Sequence, residues 1–195
     1  VHAVAGCDKP EVLMLNKTPI GRRVRQTGYE VITLSALASP ERSAPDAQFA
    51  ASFEKTQKLL RTIGTDFRNV ARTWWWLGDI LPYYADFNQV RRNFFAHAGV
   101  RLARAGNLAP GQASVETGLP PASTGIGIAA AGGGYGAVDV VAVSGDASRI
   151  AYYPVAGNQR SPCEYGSAFS RASSIDVLSG RTVFVSGTAD IDPEG

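Results

Sequence analysis

Apolar side chains recur at helical spacing in two stretches of the chain. In the first, they stand four and three residues apart on one stripe of a helix that Gly64 can end: Phe49, Phe53, Thr56, Leu60 and Ile63. The second stretch runs from about Pro82 to Ala98, has Gly99 after it and keeps the same spacing: Tyr83, Phe87, Val90 and Phe94. Both stripes need an apolar surface to cover. The pattern therefore predicts two amphipathic helices packed on a sheet.

Clusters of β-branched and aromatic residues predict the strands of that sheet. Two early strands are expected at 11–15 and 29–37, one at 70–77 between the helices, and two more at 124–130 and 135–144. Alternation along 70–77 puts two sets of side chains on opposite faces, Val70, Arg72, Trp74 and Trp76 on one and Ala71, Thr73, Trp75 and Leu77 on the other. The order of elements predicts an α+β fold, with one sheet covered on one face by two helices.

A second group of strand-like segments follows a polar stretch. Residues 169–175 and 181–188 predict a hairpin that turns through Ser179 and Gly180. We interpret 1–144 as one unit and 145–195 as a linker and an incomplete second unit. A tail that completes the sheet of the first unit, or that of a neighbouring chain, is the alternative. The open face of the first sheet predicts packing against another copy, because large exposed apolar patches are uncommon in soluble monomers.

Charge and composition narrow the classes of partner. Hydrophobic residues make up 45% of the 195 residues, enough for a sizeable core. Lys and Arg number 19 against 17 Asp and Glu, and a net charge of +2 is too small to draw the whole molecule onto a nucleic acid. Basic residues cluster at 22–25 and 91–92, but the aromatics fall on core-like stripes. We therefore expect no nucleic-acid partner.

The two cysteines, Cys7 and Cys163, are far apart and have no Cys or His at ligand spacing. Neither a disulfide framework nor a metal site is predicted, and no cofactor is expected. The sequence also lacks the roughly 20 consecutive apolar residues that a membrane helix needs. A cytoplasmic protein without a membrane partner is the expectation.

Four runs in the first unit resemble a known family. Residues 70–80 (VARTWWWLGDI) and 87–95 (FNQVRRNFF) resemble the central strand and second helix of the Rid deaminases, which are the YjgF-like proteins. Residues 121–127 (PASTGIG) and 138–143 (VDVVAV) are similar to that family's substrate-loop strand and last strand. The resemblance implies a chorismate-mutase-like fold. It also implies a homo-oligomer, a trimer with ligand clefts between subunits, or a tandem pseudo-trimer.

The second unit carries two further resemblances. Residues 169–172 (FSRA) and 185–188 (VSGT) resemble the first two strands of the same family, repeated. Residues 158–166 (NQRSPCEYG), together with 169–172, are similar to the junction that opens the catalytic half of chorismatases, two-domain relatives that process chorismate.

The resemblance implies a site for a small carboxylate. Asp139 matches the family's closing carboxylate, which supports a reactive water. Ser123 stands where active Rid deaminases have an arginine that holds the substrate carboxylate, and a hydroxyl cannot make the bidentate, charge-assisted pair of a guanidinium. Arg171 alternates with Phe169 along a predicted strand and could supply the missing guanidinium. Ser186 matches a family position that lines the cleft.

Other residues complete the predicted site, and each has a structural alternative. Thr124 could bind an anion beside Ser123, unless the two only form a tight strand entry. Tyr165 is assigned as a further substrate contact, as is Phe169. Asp139 could instead pair with an arginine, and Arg171 could be an ordinary surface residue. The three tryptophans at 74–76 could stack on a ligand or form core, and Cys163, close to Arg160, is a candidate thiolate with a lowered pKa.

Three functions remain open. The first is a Rid-like protein that hydrolyses enamines or imines, or binds a small carboxylate, with Asp139 as the proton acceptor and Arg171 as the carboxylate clamp. The second is a chorismatase-like enzyme acting on chorismate. The third is a non-catalytic assembly or regulatory module, which the serine at position 123 favours.

Overall fold

The computed structural model describes residues 8–102, 108–114, 116–129, 133–177 and 180–187. Within them, one sheet carries two helices on one face. Its strands are β1 (Glu11–Leu15), β2 (Thr18–Gln26), β3 (Tyr29–Ala38), β4 (Val70–Leu77), β5 (Ala122–Ile126) and β6 (Gly136–Gly145), and its helices are α1 (Pro45–Thr62) and α2 (Ile80–Ala98). The strand order is β1-β2-β3-β6-β4-β5, with only the β4–β5 pair parallel among these. The predicted α+β architecture is confirmed.

The two apolar stripes meet over this sheet as predicted. The ring of Phe53 on α1 lies 4.4 Å from that of Trp75 on β4 and 6.2 Å from that of Phe87 on α2, centroid to centroid. Phe49 contacts Phe87 edge to face at 5.4 Å. All four side chains are buried. They form a single layer between the helices and the sheet, which aromatic burial and edge-to-face contacts stabilise.

The pattern of apolar residues in the sequence does not predict the strand β2. Val24 is its one buried residue, so its sequence shows little of the alternation that identifies a half-buried strand. Arg23 in this strand forms ion pairs with Glu11 at 2.7 Å and with Glu30 at 3.5 Å. The basic residues at 22–25 therefore belong to a strand of the sheet, and the charge of Arg23 is neutralised by its two glutamate partners.

The predicted alternation along β4 is wrong at its first residues. The pairing of β4 with β6 shifts between Val70 and Arg72, so one extra residue stands in β4. Such a bulge reverses the facing of the residues before it. Val70 therefore joins the core under the helices and Ala71 lies on the opposite face, with Trp74. From Arg72 onward the predicted faces are confirmed.

A second sheet contains the predicted hairpin. It has the antiparallel order β7 (Ile150–Tyr153), β8 (Ala172–Val177) and β9 (Gly180–Val185) among the described residues. The strand β7 was missed because its alternation spans only four residues within a polar stretch. Cys7, Ser179, residue 130 and residue 188 lie outside the part of the chain that the structure describes.

The second sheet packs on the far face of the first, the face opposite the helices. Ile150, Tyr152, Ile175 and Phe184 are buried there against a set from the first sheet and its loops: Val31, Ala71, Leu119, Ala122, Val141 and Val143. The chain thus covers part of that face itself, and the alternative in which its tail extends the first sheet is wrong. Among the described residues, one backbone β-bridge connects the first sheet with the segment that leads into the second: it pairs Ala122 of β5 with Ser170, just before β8. Assembly with another copy and the division after residue 144 stay predictions.

Candidate functional site

Arginine side chains converge where α2 meets the segment that enters β8. We name Arg91, Arg160 and Arg171 the arginine cluster. Arg171 is 2% exposed and Arg91 3% exposed. Arg160 is half-buried and projects from the loop before the short 3₁₀ turn Pro162–Tyr165. Charged side chains are almost never buried to this extent unless they are paired, so the cluster needs a physical explanation.

Arg171 is only partly satisfied by the protein. Its Nε and Nη2 atoms donate to the backbone oxygen of Arg160 at 3.1 and 2.8 Å, whereas Nη1 has no hydrogen-bond partner. The guanidinium carbon lies 5.6 Å from the ring centroid of Tyr165 and 5.7 Å from that of Phe169. Arg171, Tyr165 and Phe169, which the sequence assigned separately to the site, are therefore brought together.

Arg91 extends the cluster from the helix side. Its Nη2 atom donates to Asn88 Oδ1 at 2.5 Å and to Ser167 Oγ at 2.7 Å, while Nε has no partner. The guanidinium carbon lies 5.5 Å from the Phe169 ring, so two cations contact one phenyl group. Burial lowers the pKa of Arg91 to about 10, although the Tyr84 hydroxyl partly offsets this effect.

Arg91 was not predicted as a site residue from the sequence, in which it is part of the basic cluster at 91–92. A signal was available, because Arg91 stands four residues after Phe87 and thus on the apolar stripe of α2. Cys163, in the same region, is not an activated thiolate. Burial raises the pKa of its thiol, and this effect exceeds the opposing effects of the Ser161 hydroxyl and of the positive charge on Arg91.

Ser123 and Ser186 connect the two sheets. The Ser123 hydroxyl accepts a hydrogen bond from Thr73 Oγ1 at 2.9 Å, on the helix side of the first sheet. Its backbone N–H donates to Ser186 Oγ at 2.8 Å, and that hydroxyl donates to the Ser170 carbonyl oxygen at 2.5 Å. Both hydroxyls are thus engaged by neighbouring strands, which is the arrangement of a tight strand entry. Thr124, on the next position of β5, faces the opposite side.

Asp139 lies in a different place, on the open part of the far face. There a cleft of about 510 Å³ is lined by Thr33, Ser35, Trp74, Trp76, Ile126 and Asp139. We name it the indole cleft. Trp75, between the two cleft tryptophans in sequence, is buried under the helices. The strand of three tryptophans therefore contributes both core and cleft wall.

Both carboxylate oxygens of Asp139 accept hydrogen bonds. Oδ1 accepts from the backbone N–H of Ala36 at 2.6 Å, and Oδ2 from Trp76 Nε1 at 3.1 Å. Ala36 has a φ of 55°, at an irregularity in the pairing of β3 with β6. The carboxylate thus stabilises a left-handed residue in β3, while each oxygen keeps a lone pair that can face the cleft.

We expect Asp139→Asn to lower the free energy of unfolding by about 1–3 kcal/mol, because an amide nitrogen cannot accept a hydrogen bond and leaves one of the two donors without a partner. Urea unfolding monitored by tryptophan fluorescence measures the change. Asp86→Asn, on the exposed side of α2, is the control and should stay within about 0.5 kcal/mol of the parent. Equal stability of the two variants would contradict the structural role of Asp139.

The structure does not bring Asp139 and Arg171 into one site. They share no contact and no cleft in the described ranges, because Asp139 faces the open part of the far face and Arg171 faces Tyr165 and Arg160. A water activated by Asp139 would therefore need another carboxylate clamp. Among the same residues, no group of three His, Cys, Asp or Glu side chains could hold a metal ion, and no helix has the length and apolarity that a membrane crossing needs.

Comparison with solved structures places these observations among known folds. A chorismatase is 26% identical with a TM-score of 0.57; the match covers 93% of this chain and 50% of the chorismatase chain. A YjgF-family protein of Neisseria meningitidis is 20% identical with a TM-score of 0.49, over 71% of this chain and 98% of its own. The YjgF gene product of E. coli is 14% identical with a TM-score of 0.48, over 67% and 90%.

No protein-family model matches the sequence, and a search of curated proteins finds no match. Of the three solved structures named above, the chorismatase combines the higher sequence identity with the higher TM-score. This chain spans about half of that chorismatase's length. The resemblance to chorismatases predicted from the sequence is confirmed for the fold: the chain shares the fold of this chorismatase over 93% of its length.

Proposed function

We propose that the chain binds a small carboxylate-bearing molecule at the arginine cluster, and that this molecule is chorismate. The observation that carries the proposal is the guanidinium of Arg171, which is buried and has an Nη1 atom without a partner. Arg91 supplies a second buried cation on the same phenyl ring. Burial of two like charges is costly unless an anion compensates them.

Chorismate fits this environment chemically. It carries one carboxylate on an unsaturated ring and a second on the enolpyruvyl ether attached to that ring, so it could neutralise both guanidinium groups while its ring contacts Tyr165 and Phe169. Tyr165 and Arg160 are half-buried, and the cluster therefore reaches the surface on their side. The similarity to a chorismatase supports this choice among dicarboxylates. The match covers half of that enzyme, so the similarity supports the binding of chorismate more directly than its conversion. We propose the conversion of chorismate as a second, separately tested step.

Calorimetric titration of chorismate into the full chain tests the proposal. We expect Arg171→Met to weaken binding by about 10- to 100-fold, because it removes a charge-assisted hydrogen bond. Arg181→Met, at an exposed arginine of β9 that pairs with Asp176, removes the same charge elsewhere and should leave the affinity unchanged. Equal affinities of the two variants, or no binding by the parent, would refute the proposal. Chromatography of the incubated chorismate detects any product.

A second function is favoured by the indole cleft, in which Asp139 lies on the same wall as Trp74 and Trp76. Here the chain would hydrolyse a small imine. The oxygen of water adds to the imine carbon while Asp139 accepts a proton from the water and returns it to the nitrogen, which gives a carbinolamine. The hydroxyl proton of this carbinolamine then moves to the nitrogen through Asp139, the C=O bond forms, the C–N bond breaks and ammonia leaves. A coupled assay with 2-aminoacrylate measures this reaction, and its loss in Asp139→Asn, in a variant that remains folded, would support it. No reaction by the parent would exclude it.

A further inference from the structure

A third buried arginine lies outside the arginine cluster, in the first unit. Arg72 projects from β4 onto the far face and is 4% exposed. Its guanidinium carbon lies 4.6 Å from the centroid of the Trp74 ring, and Nη2 donates to the Thr124 hydroxyl. Nε and Nη1 have no hydrogen-bond partner. Burial lowers the pKa of Arg72 to about 10, and no carboxylate of the described residues offsets this effect.

The hydroxyl of Thr124 is arranged as a donor beside this guanidinium. It already accepts two hydrogen bonds, one from Arg72 Nη2 and one from the backbone N–H of Gly187 at 2.8 Å. A hydroxyl has two acceptor lone pairs and one proton, so its proton remains available for an acceptor. Gly187 approaches closely, because a Cβ at that position would lie 2.6 Å from Thr124 Cγ2. Thr124, in the middle of β5, is thus held between Arg72 of β4 and Gly187, which follows β9.

We propose that Arg72 and Thr124 form a carboxylate-binding site in the first unit, separate from the arginine cluster. Three donors are present there for a carboxylate: Nε and Nη1 of Arg72 and the hydroxyl of Thr124. Thr124 and Trp74, which contact Arg72, are half-buried, and Gly187 beside Thr124 is exposed.

The neighbouring indole cleft sets the class of ligand. Trp74 both contacts Arg72 and lines the cleft, and Asp139 stands opposite Trp74 in the strand register. A carboxylate at Arg72 therefore places the rest of the ligand along the indole walls. The charge of Asp139 disfavours a second anionic group at the other end. The ligand class is a small monocarboxylate with a cyclic or flat apolar body.

Calorimetric titration with cyclohexanecarboxylate tests this site, with the neutral cyclohexanecarboxamide as the matched probe. We expect the carboxylate to bind the parent and the amide to bind at least about tenfold more weakly, because the amide carries no charge for the guanidinium. Arg72→Met should weaken carboxylate binding by at least about tenfold and Thr124→Val by about three- to tenfold. Arg22→Met, at an exposed arginine of β2, is the charge-matched control and should have no effect.

Thr124→Val keeps the shape of the side chain and the buried charge of Arg72. If Arg72→Met does not fold, the affinity of Thr124→Val therefore tests whether this site binds the carboxylate. Near-ultraviolet circular dichroism checks the fold of each variant. Unchanged affinity in Thr124→Val and in a folded Arg72→Met would overturn the proposal, as would a parent that shows no saturable binding up to about 20 mM. Arg171→Met should leave cyclohexanecarboxylate binding intact, so a failure here is distinguishable from a failure at the arginine cluster.

Discussion

Phe53→Ala is expected to lower the free energy of unfolding by about 3–5 kcal/mol, which would be among the largest effects of any single substitution in this chain. The Phe53 side chain is 0% exposed. Its ring contacts Trp75 on the sheet and Phe87 and Phe94 on the other helix, the last at a centroid distance of 4.8 Å. Truncation would leave a cavity between all three elements, which a close-packed layer cannot fill by small movements.

Guanidinium chloride unfolding, followed by tryptophan fluorescence and by far-ultraviolet circular dichroism, measures this loss. Leu81→Ala is the control, because Leu81 is 90% exposed on α2, and its effect should stay within about 0.5 kcal/mol. A loss below about 1 kcal/mol in Phe53→Ala would mean that the two helices do not share one core over the first sheet.

Tyr152→Ala should lower the free energy of unfolding by a similar amount, about 3–5 kcal/mol. Tyr152 is completely buried in β7, between the two sheets. Its hydroxyl lies within hydrogen-bond distance of two backbone oxygens, that of Val70 at the start of β4 at 3.0 Å and that of Arg68 just before this strand at 3.2 Å. The substitution removes a large apolar contact and leaves buried carbonyl groups without that donor. It therefore measures how strongly the second sheet is held on the far face.

The neighbouring Tyr153 gives a matched control in the same strand. Its side chain is half-buried and points the other way, so Tyr153→Ala should cost no more than about 1 kcal/mol. Tyr152→Phe, which keeps the ring, separates packing from hydrogen bonding and should cost about 1–2 kcal/mol. Comparable losses for the two alanine variants would show that the second sheet is not packed through Tyr152.

The sequence predicted the elements that have strong periodicity. Phe53 and Phe87 stand in ladders long enough to identify a helix and its buried face, and both were placed correctly in one layer with the sheet. The strands β2 and β7 were not predicted, because β2 has one buried residue and β7 has only four residues. The bulge before Arg72 was also not predicted, because it depends on how β4 pairs with β6 and not on the composition of β4.

The candidate site was harder to predict because its contacts connect distant parts of the chain. Arg171, Tyr165 and Phe169 are close in sequence and were each assigned to the site, but Arg91 comes from α2, and only the fold brings it to Phe169. Asp139 was assigned to the site through a family resemblance, and Arg171 through its alternation with Phe169 along a predicted strand. The structure separates them, because Arg171 lies beside Tyr165, Phe169 and the backbone oxygen of Arg160, whereas Asp139 lines the indole cleft.

Crystals of the full chain soaked with chorismate would test the central claim most directly, since the claim concerns which atom the ligand contacts. The account predicts electron density for a carboxylate within hydrogen-bond distance of Arg171 Nη1, with the ring of the ligand beside Tyr165. Density for an ordered water at Nη1, with chorismate absent from the arginine cluster at saturating concentration, would contradict it.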